Sequence, residues 1–408
     1  MSYVIEQVVP VLVGQGAVNE LATKLRQEFS ATKVALVTDP GVKGAGIADK
    51  VAAALEENNL PVSVFYDKVE RDAPDYNVDE LADLICKHGC DAVVAVGGGS
   101  TLDTGKGAAL VACNGGQIRD YMIQRPARLS GGDRAAGSAQ HIERDMSLPL
   151  VTVPTTSGTG AEIRLTGVIE DTELHMKDIV EYTPAFALQD ATLLTTMPPF
   201  ITATTAFDAM AHANESMTST IGQDKLRNQI LGAGVTQTVF EWLPVAMAEP
   251  ENLEAREKLA VASSLAALCS LDGLAHIGHN CADSFTYNFN LPHAYGCSLT
   301  LPVAIQLAAP YATDSVRHIA IAQGTHLTGS ETSEELGRLV ADNYRKLAHE
   351  VGIPSLAERD IKREDMFADK VVDDIFQNQN AMNKFPSGTG ITREQAVWML
   401  EQIYDEYK

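Results

Sequence analysis

The sequence predicts an α/β domain built on a parallel sheet, followed by an all-helical domain. Three observations carry this expectation. Short apolar, β-branched runs alternate with helical patterns through the first half of the chain. These runs carry no polar face, as expected for strands buried on both sides of a parallel sheet. After Pro198-Pro199 the strand-like runs give way to long helical patterns.

In chain order, Val4 to Val13 is rich in valine and reads as extended. Ala17 to Phe29 places Val18, Leu21 and Leu25 at helical spacing. Lys33 to Thr38 is a short strand ending in the turn Asp39-Pro40-Gly41. Ile47 to Leu55 is helical and Val62 to Tyr66 is a strand. Val78 to His88 is helical, with Leu81, Leu84 and Ile85 on one face. Ala92 to Val96 is a wholly apolar strand running into Gly97-Gly98-Gly99, and Thr101 to Ala112 is the next helix. Leu148 to Val153 is a further apolar strand. In the second half Phe200 to Met217, Lys225 to Trp242, Glu251 to Leu271 and Ser333 to Val351 all read as helices. The boundary falls between Leu193 and Pro199, giving domains 1–194 and 195–408. Arg125 to Ser147 fits neither period and reads as a surface loop, or as a lid or oligomer contact.

A chain of 408 residues favours two domains and buries a sizeable core. Lys and Arg number 31 against 54 Asp and Glu, a net charge of −23. Such a surface repels phosphate backbones and anionic lipid, so neither nucleic acid nor a membrane is an expected partner. The charge-free apolar stretch Leu259 to Leu271 contains three serines and falls short of the roughly 20 residues a bilayer span needs. No basic residue precedes Lys24, so a secretory n-region is not expected. The six cysteines form no CxxC pair, which points to a reducing cytoplasm.

Three regions suggest a nucleotide. Gly97-Gly98-Gly99-Ser100 joins a strand to a helix, so backbone N–H groups can approach an anion, with Ser100 or Thr101 capping the helix. A tight βα turn without a ligand accounts for it equally, and GxGxxG is not matched. Asp39, at the end of an earlier strand, can bind ribose hydroxyls and would repel a 2′-phosphate, favouring NAD over NADP; it is also a plain turn aspartate before Pro40. The hydroxyl-rich run Thr155-Thr156-Ser157-Gly158-Thr159-Gly160 follows a strand and is open to the same two readings.

A different chemistry appears later. Asp208 and His212 stand at i and i+4, on one face of a helix. His276, His279 and His293 follow, the last two fourteen residues apart. Three imidazoles and a carboxylate suit Fe²⁺ or Zn²⁺ with a coordination position left open. Each histidine taken singly is equally a satisfied core or surface residue.

Together these residues resemble the iron-containing (group III) alcohol dehydrogenase family, over nearly the whole chain. The family's glycine motif matches Gly97-Gly98-Gly99-Ser100 with Asp103 and Lys106. Its threonine–glycine motif matches Pro154 to Gly160, and its metal motif matches Asp208 to His212 with Ala213 and Glu215 after it. The resemblance implies a Rossmann-like first domain, an all-α second domain (the architecture shared with dehydroquinate synthases) and a site in the cleft between them. It implies Asp208, His212, His279 and His293 as ligands of Fe²⁺ or Zn²⁺. NAD(H) would lie across Asp39, Gly97, Gly98, Gly99, Ser100, Asp103, Thr155, Thr156, Ser157 and Thr159, with Lys177 in the same set. The implied reaction is hydride transfer between the nicotinamide and a small alcohol or aldehyde whose oxygen the metal polarises. The implied assembly is a homodimer or larger homo-oligomer.

The chain departs from the family in three places. Asp283 and Asn280 stand where the family often carries a histidine and a glycine. His276 is an extra histidine, expected to be structural. The Arg125 to Ser147 segment is longer than expected. His279 and Asp283 are therefore the expected catalytic pair, Asp283 relaying a proton or binding a substrate hydroxyl or amine. Arg125, Arg128, Arg134 and Arg144 offer a receptor for an anionic substrate, or are simply solvated. The rival readings are a polyol dehydrogenase resembling the glycerol dehydrogenases, a non-redox NAD- and metal-binding synthase on the same fold, and a sensing protein without turnover.

Overall fold

A computed structural model describes residues 9–129, 147–223, 225–271 and 275–406. The chain folds into two compact units: residues 1–156 with 160–196, and residues 157–159 with 197–408.

The first unit holds a six-stranded sheet, β1 (Val11–Val13), β2 (Val34–Thr38), β3 (Val62–Tyr66), β4 (Ala92–Gly97), β5 (Leu150–Pro154) and, beyond a two-stranded hairpin, β8 (Phe186–Gln189). The order is β1-β8-β5-β4-β2-β3, and every pairing is parallel. β2, β4 and β5 are buried at every residue, which explains their unbroken apolar sequence. Helices cover both faces. α1 (Leu21–Phe29) and α3 (Ile47–Glu57) share one apolar core with Leu36, Val94 and Val153. α4 (Asp75–His88) and α5 (Gly99–Asn114) share the other with Val37, Val93 and Leu150. α2 (Pro40–Gly44) and α6 (Arg125–Leu129) are single short turns.

Strand order reverses at β2, which has β3 on one side and β4 on the other. The crevice outside the carboxyl ends of β2 and β4 is thus the place where open α/β sheets bind ligands. The sequence patterns find β2, β3, β4 and β5 to within about two residues, whereas the extended run Val4 to Val13 yields only the short β1 at its end. They miss β8 and the antiparallel hairpin β6 (Thr166–Asp171) and β7 (Met176–Glu181), which pairs outside the main sheet. Within Ala17 to Phe29 the first turn, Ala17–Glu20, is 3₁₀ rather than α. Val4 to Val8 and residues 130–146 lie outside the described residues.

The second unit is helical: α7 (Pro199–Thr218), α8 (Leu226–Ala248), α9 (Leu253–Ser270), α10 (Ile277–Phe289), α11 (His293–Ala308), α12 (Thr313–Ala322), α13 (Ser333–Glu350) and the shorter α14 (Arg363–Met366), α15 (Asp369–Ile375), α16 (Gln379–Lys384) and α17 (Arg393–Glu406). α7 lies deepest, buried at all but one residue from Thr202 to Thr218. Small residues bring its neighbours close. A Cβ on Gly296 of α11 would fall 3.0 Å from the Cβ of Ala282 on α10, and one on Gly278 only 2.3 Å from Glu215 Oε1 on α7. Close approach of this kind is what places polar groups from three helices within bonding reach of one another. No helix among the described residues is long and apolar enough to cross a membrane.

Candidate metal centre and nucleotide edge

The nucleotide motifs converge on one edge of the first unit. β4 ends at Gly97, and a Cβ there would fall 2.4 Å from Thr101 Oγ1, so the turn into α5 demands glycine. Gly98 is the N-cap of α5, and no side chain caps that helix. The expectation that Ser100 or Thr101 caps it is corrected, because both lie inside the first turn. Ser100 Oγ accepts from the backbone N–H of Asp72 (3.0 Å), and Thr101 Oγ1 donates to Asp39 Oδ2 (3.2 Å). No side-chain cap competes for the leading N–H groups of this 16-residue helix, an arrangement that favours an anion.

Asp39 is itself an N-cap, accepting from Gly41 N (2.9 Å) and Val42 N (3.0 Å) at the start of α2. β5 runs beside β4 with Gly97 opposite Pro154, and Thr155 N donates to Gly97 O at 3.0 Å. Thr156 lies 3.4 Å from where a Cβ on Gly98 would stand. Asp39, Gly97 to Ser100, Thr155 and Thr156 therefore sit together at the carboxyl ends of β2, β4 and β5. Lys177 reaches this edge through Asp72: its Nζ is 3.0 Å from the Oδ1 of the residue whose N–H meets Ser100. Asp103 is engaged by the protein itself. Its Oδ1 accepts from Lys106 Nζ and its Oδ2 from Val168 N, both at 3.0 Å. The buried Lys106 also donates to Ala161 O and Thr166 O (2.7 Å each), bolting the β6–β7 hairpin to α5. Ser157 and Thr159 fall in the second unit, where the Ser157 hydroxyl is buried without a hydrogen-bond partner among the described residues.

In the second unit α7 presents Asp208, His212 and Glu215 at i, i+4 and i+7, α10 presents His279 and Asp283, and α11 presents His293 and Cys297. Asp208 Oδ1 lies 3.5 Å from His212 Nε2 and 3.8 Å from His279 Nε2. The imidazoles of His212 and His279 are 4.5 Å apart between centroids, and those of His279 and His293 5.5 Å. One ligand atom each from Asp208, His279, His293 and Cys297 lies within 4.8 Å of the other three. His212 packs beside this group of four.

The group is unsatisfied on its own. Both oxygens of Asp208 and Nε2 of His279 are buried and find no N–H or O–H partner among the described residues; the thiol of Cys297 is the side chain within bonding reach of Asp208. Leaving such groups unmet costs about 1–3 kcal/mol each. A divalent cation meets them all at once, so the donor set fits a metal.

A second layer holds these donors. Glu215 Oε1 lies 3.0 Å from His279 Nδ1, which turns Nε2 toward Asp208. The other oxygen of Glu215 accepts from the backbone N–H of His276 and lies 3.3 Å from its Nδ1. Burial opposes ionisation of Glu215, but His279 and His276 outweigh it and hold the carboxyl well below its ordinary range. His276 is wholly buried, its Nε2 is 3.0 Å from Thr218 Oγ1 and its ring sits edge-on to Phe385, which accounts for it structurally. Burial pushes its pKa down to about 4, so the ring is neutral. Asp283 Oδ1 stands 3.1 Å from His293 Nδ1, repeating at a second histidine the carboxylate contact that Glu215 makes at the first. Burial first, then the nearby carboxylates, raise the thiol of Cys297 well above its ordinary pKa; a divalent cation reverses that balance.

Sequence reasoning gives Glu215 only a place in a motif and gives Cys297 no role. The signal for Cys297 is its i+4 spacing from His293. Arg125 is not a free receptor for anions: it is ion-paired with Asp171 and, at 2.6 Å, with Glu173. Arg134, Arg144 and the side chain of Arg128 lie outside the described residues.

Residues 9–191 match the family described as iron-containing alcohol dehydrogenase, and residues 202–404 its C-terminal counterpart. The NAD-dependent methanol dehydrogenase of Bacillus methanolicus is 31% identical over 380 residues, 90% of this chain and 93% of that one. The choline dehydrogenase of Bacillus subtilis (strain 168) is 33% identical over 355 residues, 85% of this chain and 83% of that one. Among solved structures, an alcohol dehydrogenase from Oenococcus oeni superposes with a TM-score of 0.86 at 25% identity, covering 99% of this chain and 100% of that one. The chain belongs to the iron-containing alcohol dehydrogenase family. It is an NAD(H)- and metal-dependent oxidoreductase acting on CH–OH donors, with small-molecule alcohols as its substrate class.

Proposed function

We propose that the chain interconverts small primary alcohols and their aldehydes, with a divalent metal held by Asp208, His212, His279 and His293. The carrying observation is the convergence of buried, unsatisfied donor atoms on α7, α10 and α11. The metal, when bound, polarises the substrate oxygen as a Lewis acid, and NAD(H) exchanges the hydride. The rest falls to the protein's own residues. Glu215 fixes the tautomer and orientation of His279, as a carboxylate behind a ligating histidine does.

Asp283 moves the alcohol proton in place of the histidine usual in the family. At 31% side-chain exposure it is partly open to water, the condition a proton exit requires. Asp283→Ala should lower kcat by about 100-fold, the low end for loss of a general acid or base, and Asp283→His should restore part of it. Wild-type turnover in Asp283→Ala would refute the assignment.

The N–H groups at the start of α5 take the pyrophosphate. Asp39 keeps acceptor capacity beyond its two capping bonds for ribose hydroxyls, and its charge disfavours a 2′-phosphate. Thr155, Thr156, Ser157 and Thr159 supply hydroxyls, Lys177 is held at the same edge, and Asp103 supports the helix from behind. The small alcohols in the names of the two Bacillus relatives favour a compact substrate. A polyol is the second reading, favoured by Asp283 as a receptor for an extra hydroxyl.

Turnover of short neutral, hydroxylated and acidic aldehydes, each with NADH and with NADPH, tests the proposal. Preference for NADH and for short neutral aldehydes supports it. Preference for hydroxylated aldehydes selects the polyol reading, and NADPH preference contradicts the role of Asp39. None of the six cysteines is in a disulfide, in keeping with a reducing cytoplasm. Exposed Leu226 and Ile230, one turn apart on α8, favour self-association into a homodimer or larger assembly, which sedimentation measures directly.

A further inference from the structure

We propose that Cys297 is a direct thiolate ligand of the metal, which makes this centre softer than an all-nitrogen-and-oxygen site. The inference rests on the metal-centre reading above and adds a donor that reading does not contain.

The geometry is that of a ligand and not of a bystander. Cys297 Sγ lies with the ligand atoms of Asp208, His279 and His293 in one group, all within 4.8 Å of each other. Its distance to His293 Nε2 is 3.5 Å. Tetrahedral Zn²⁺, with bonds of about 2.3 Å to sulfur and about 2.0–2.1 Å to nitrogen and oxygen, sets neighbouring donors roughly 3.3–3.8 Å apart. The spacing seen already falls in that range. His293 and Cys297 are one turn apart on α11, the arrangement that puts Asp208 and His212 on one face of α7. The position is closed to solvent: Cys297 is fully buried. Asp208 supplies an independent observation, because its two buried oxygens accept no hydrogen bond from any N–H or O–H group among the described residues.

The balance of charge follows. On coordination the thiol loses one proton to solvent and the sulfur lone pair forms the metal–sulfur bond; nothing is oxidised or reduced. One carboxylate, one thiolate and three neutral imidazoles then offset a divalent cation in full, and an octahedral ion keeps a sixth position for a substrate oxygen. A soft thiolate favours Zn²⁺ and Co²⁺ over Mg²⁺ and Mn²⁺.

Cobalt reports sulfur ligation directly. Metal-stripped full-length protein is loaded with one equivalent of Co²⁺ and its spectrum recorded. The wild type should show a sulfur-to-cobalt charge-transfer band in the near ultraviolet beside the visible d–d bands. Cys297→Ser should lose the former and keep the latter, while Cys86→Ser and Cys113→Ser keep both. Zn²⁺ affinity in Cys297→Ser should fall by at least about tenfold. X-ray absorption at the zinc edge of the wild-type protein needs no variant to fold, and should show a sulfur at about 2.3 Å. Metal bound with only nitrogen and oxygen neighbours, or a charge-transfer band surviving in Cys297→Ser, overturns the thiolate while leaving the metal centre intact. Failure of the wild type to take up any metal overturns both.

Discussion

Glu215 accepts from Nδ1 of His279 at 3.0 Å and from the backbone of His276, so its loss frees the ring whose Nε2 faces Asp208. Glu215→Gln keeps the shape but weakens the acceptor and can leave His279 in the wrong tautomer. Metal affinity should drop about 10–100-fold, read by competition with a chromophoric chelator, and an unchanged affinity would deny Glu215 this role. The centre was legible in the sequence where its residues are close along the chain. The i,i+4 pair Asp208 and His212 and the fourteen-residue interval from His279 to His293 are patterns of order. Glu215 and Cys297 were not legible, because their roles depend on which faces of three helices meet. That meeting is set by Gly278, Gly296 and Ala282, residues whose importance is how little room they take.

The glycines of α5 separate support of a ligand from support of the fold. A Cβ at Gly105 would sit 2.9 Å from Ala95 Cβ, between helix and sheet, whereas one at Gly98 meets only Thr156 at 3.4 Å. Gly105→Ala should cost about 1–3 kcal/mol in urea unfolding, and Gly98→Ala should leave stability nearly unchanged while raising the Kd for NADH. The reverse pattern would contradict the placement of the nucleotide edge. The β6–β7 hairpin carries a second element-scale prediction. Burial opposes ionisation of Asp171, but Arg125 and the backbone N–H groups of Leu174 and Glu173 outweigh it and hold its pKa down. The folded state therefore binds that proton less tightly than the unfolded chain. Its stabilisation is present above about pH 3.9 and is lost as pH falls through the lower folded value. Asp171→Asn should cost about 3 kcal/mol at pH 7 and progressively less toward pH 3, as chemical denaturation across pH would record. The main strands were readable because burial on both faces leaves an apolar run. The hairpin was not, since Thr166–Asp171 alternates in burial but its buried positions are Gly167, Ile169 and Asp171 while Val168 is exposed, so no apolar alternation marks it in the sequence.

Across the whole molecule, the proposed function draws on two sets of residues far apart in sequence: hydroxyls and helix-terminal N–H groups at the ends of β2, β4 and β5, and a carboxylate–imidazole cluster on α7, α10 and α11. The order of these sets along the chain was enough to recognise the family, and the patterns of strand and helix were enough for the fold class. Substrate choice was not readable, because it resides in the walls around the metal and not in the motifs that hold it. The central claim is that Asp208, His212, His279 and His293 bind a metal that NADH-dependent carbonyl reduction requires. The most direct measurement is NADH oxidation with a short aldehyde by metal-stripped protein, titrated anaerobically with Fe²⁺. Activity should rise from near zero to a plateau at one equivalent of metal and be absent in His279→Ala at every addition. Turnover that is undiminished without metal, or that persists in His279→Ala, would contradict the account.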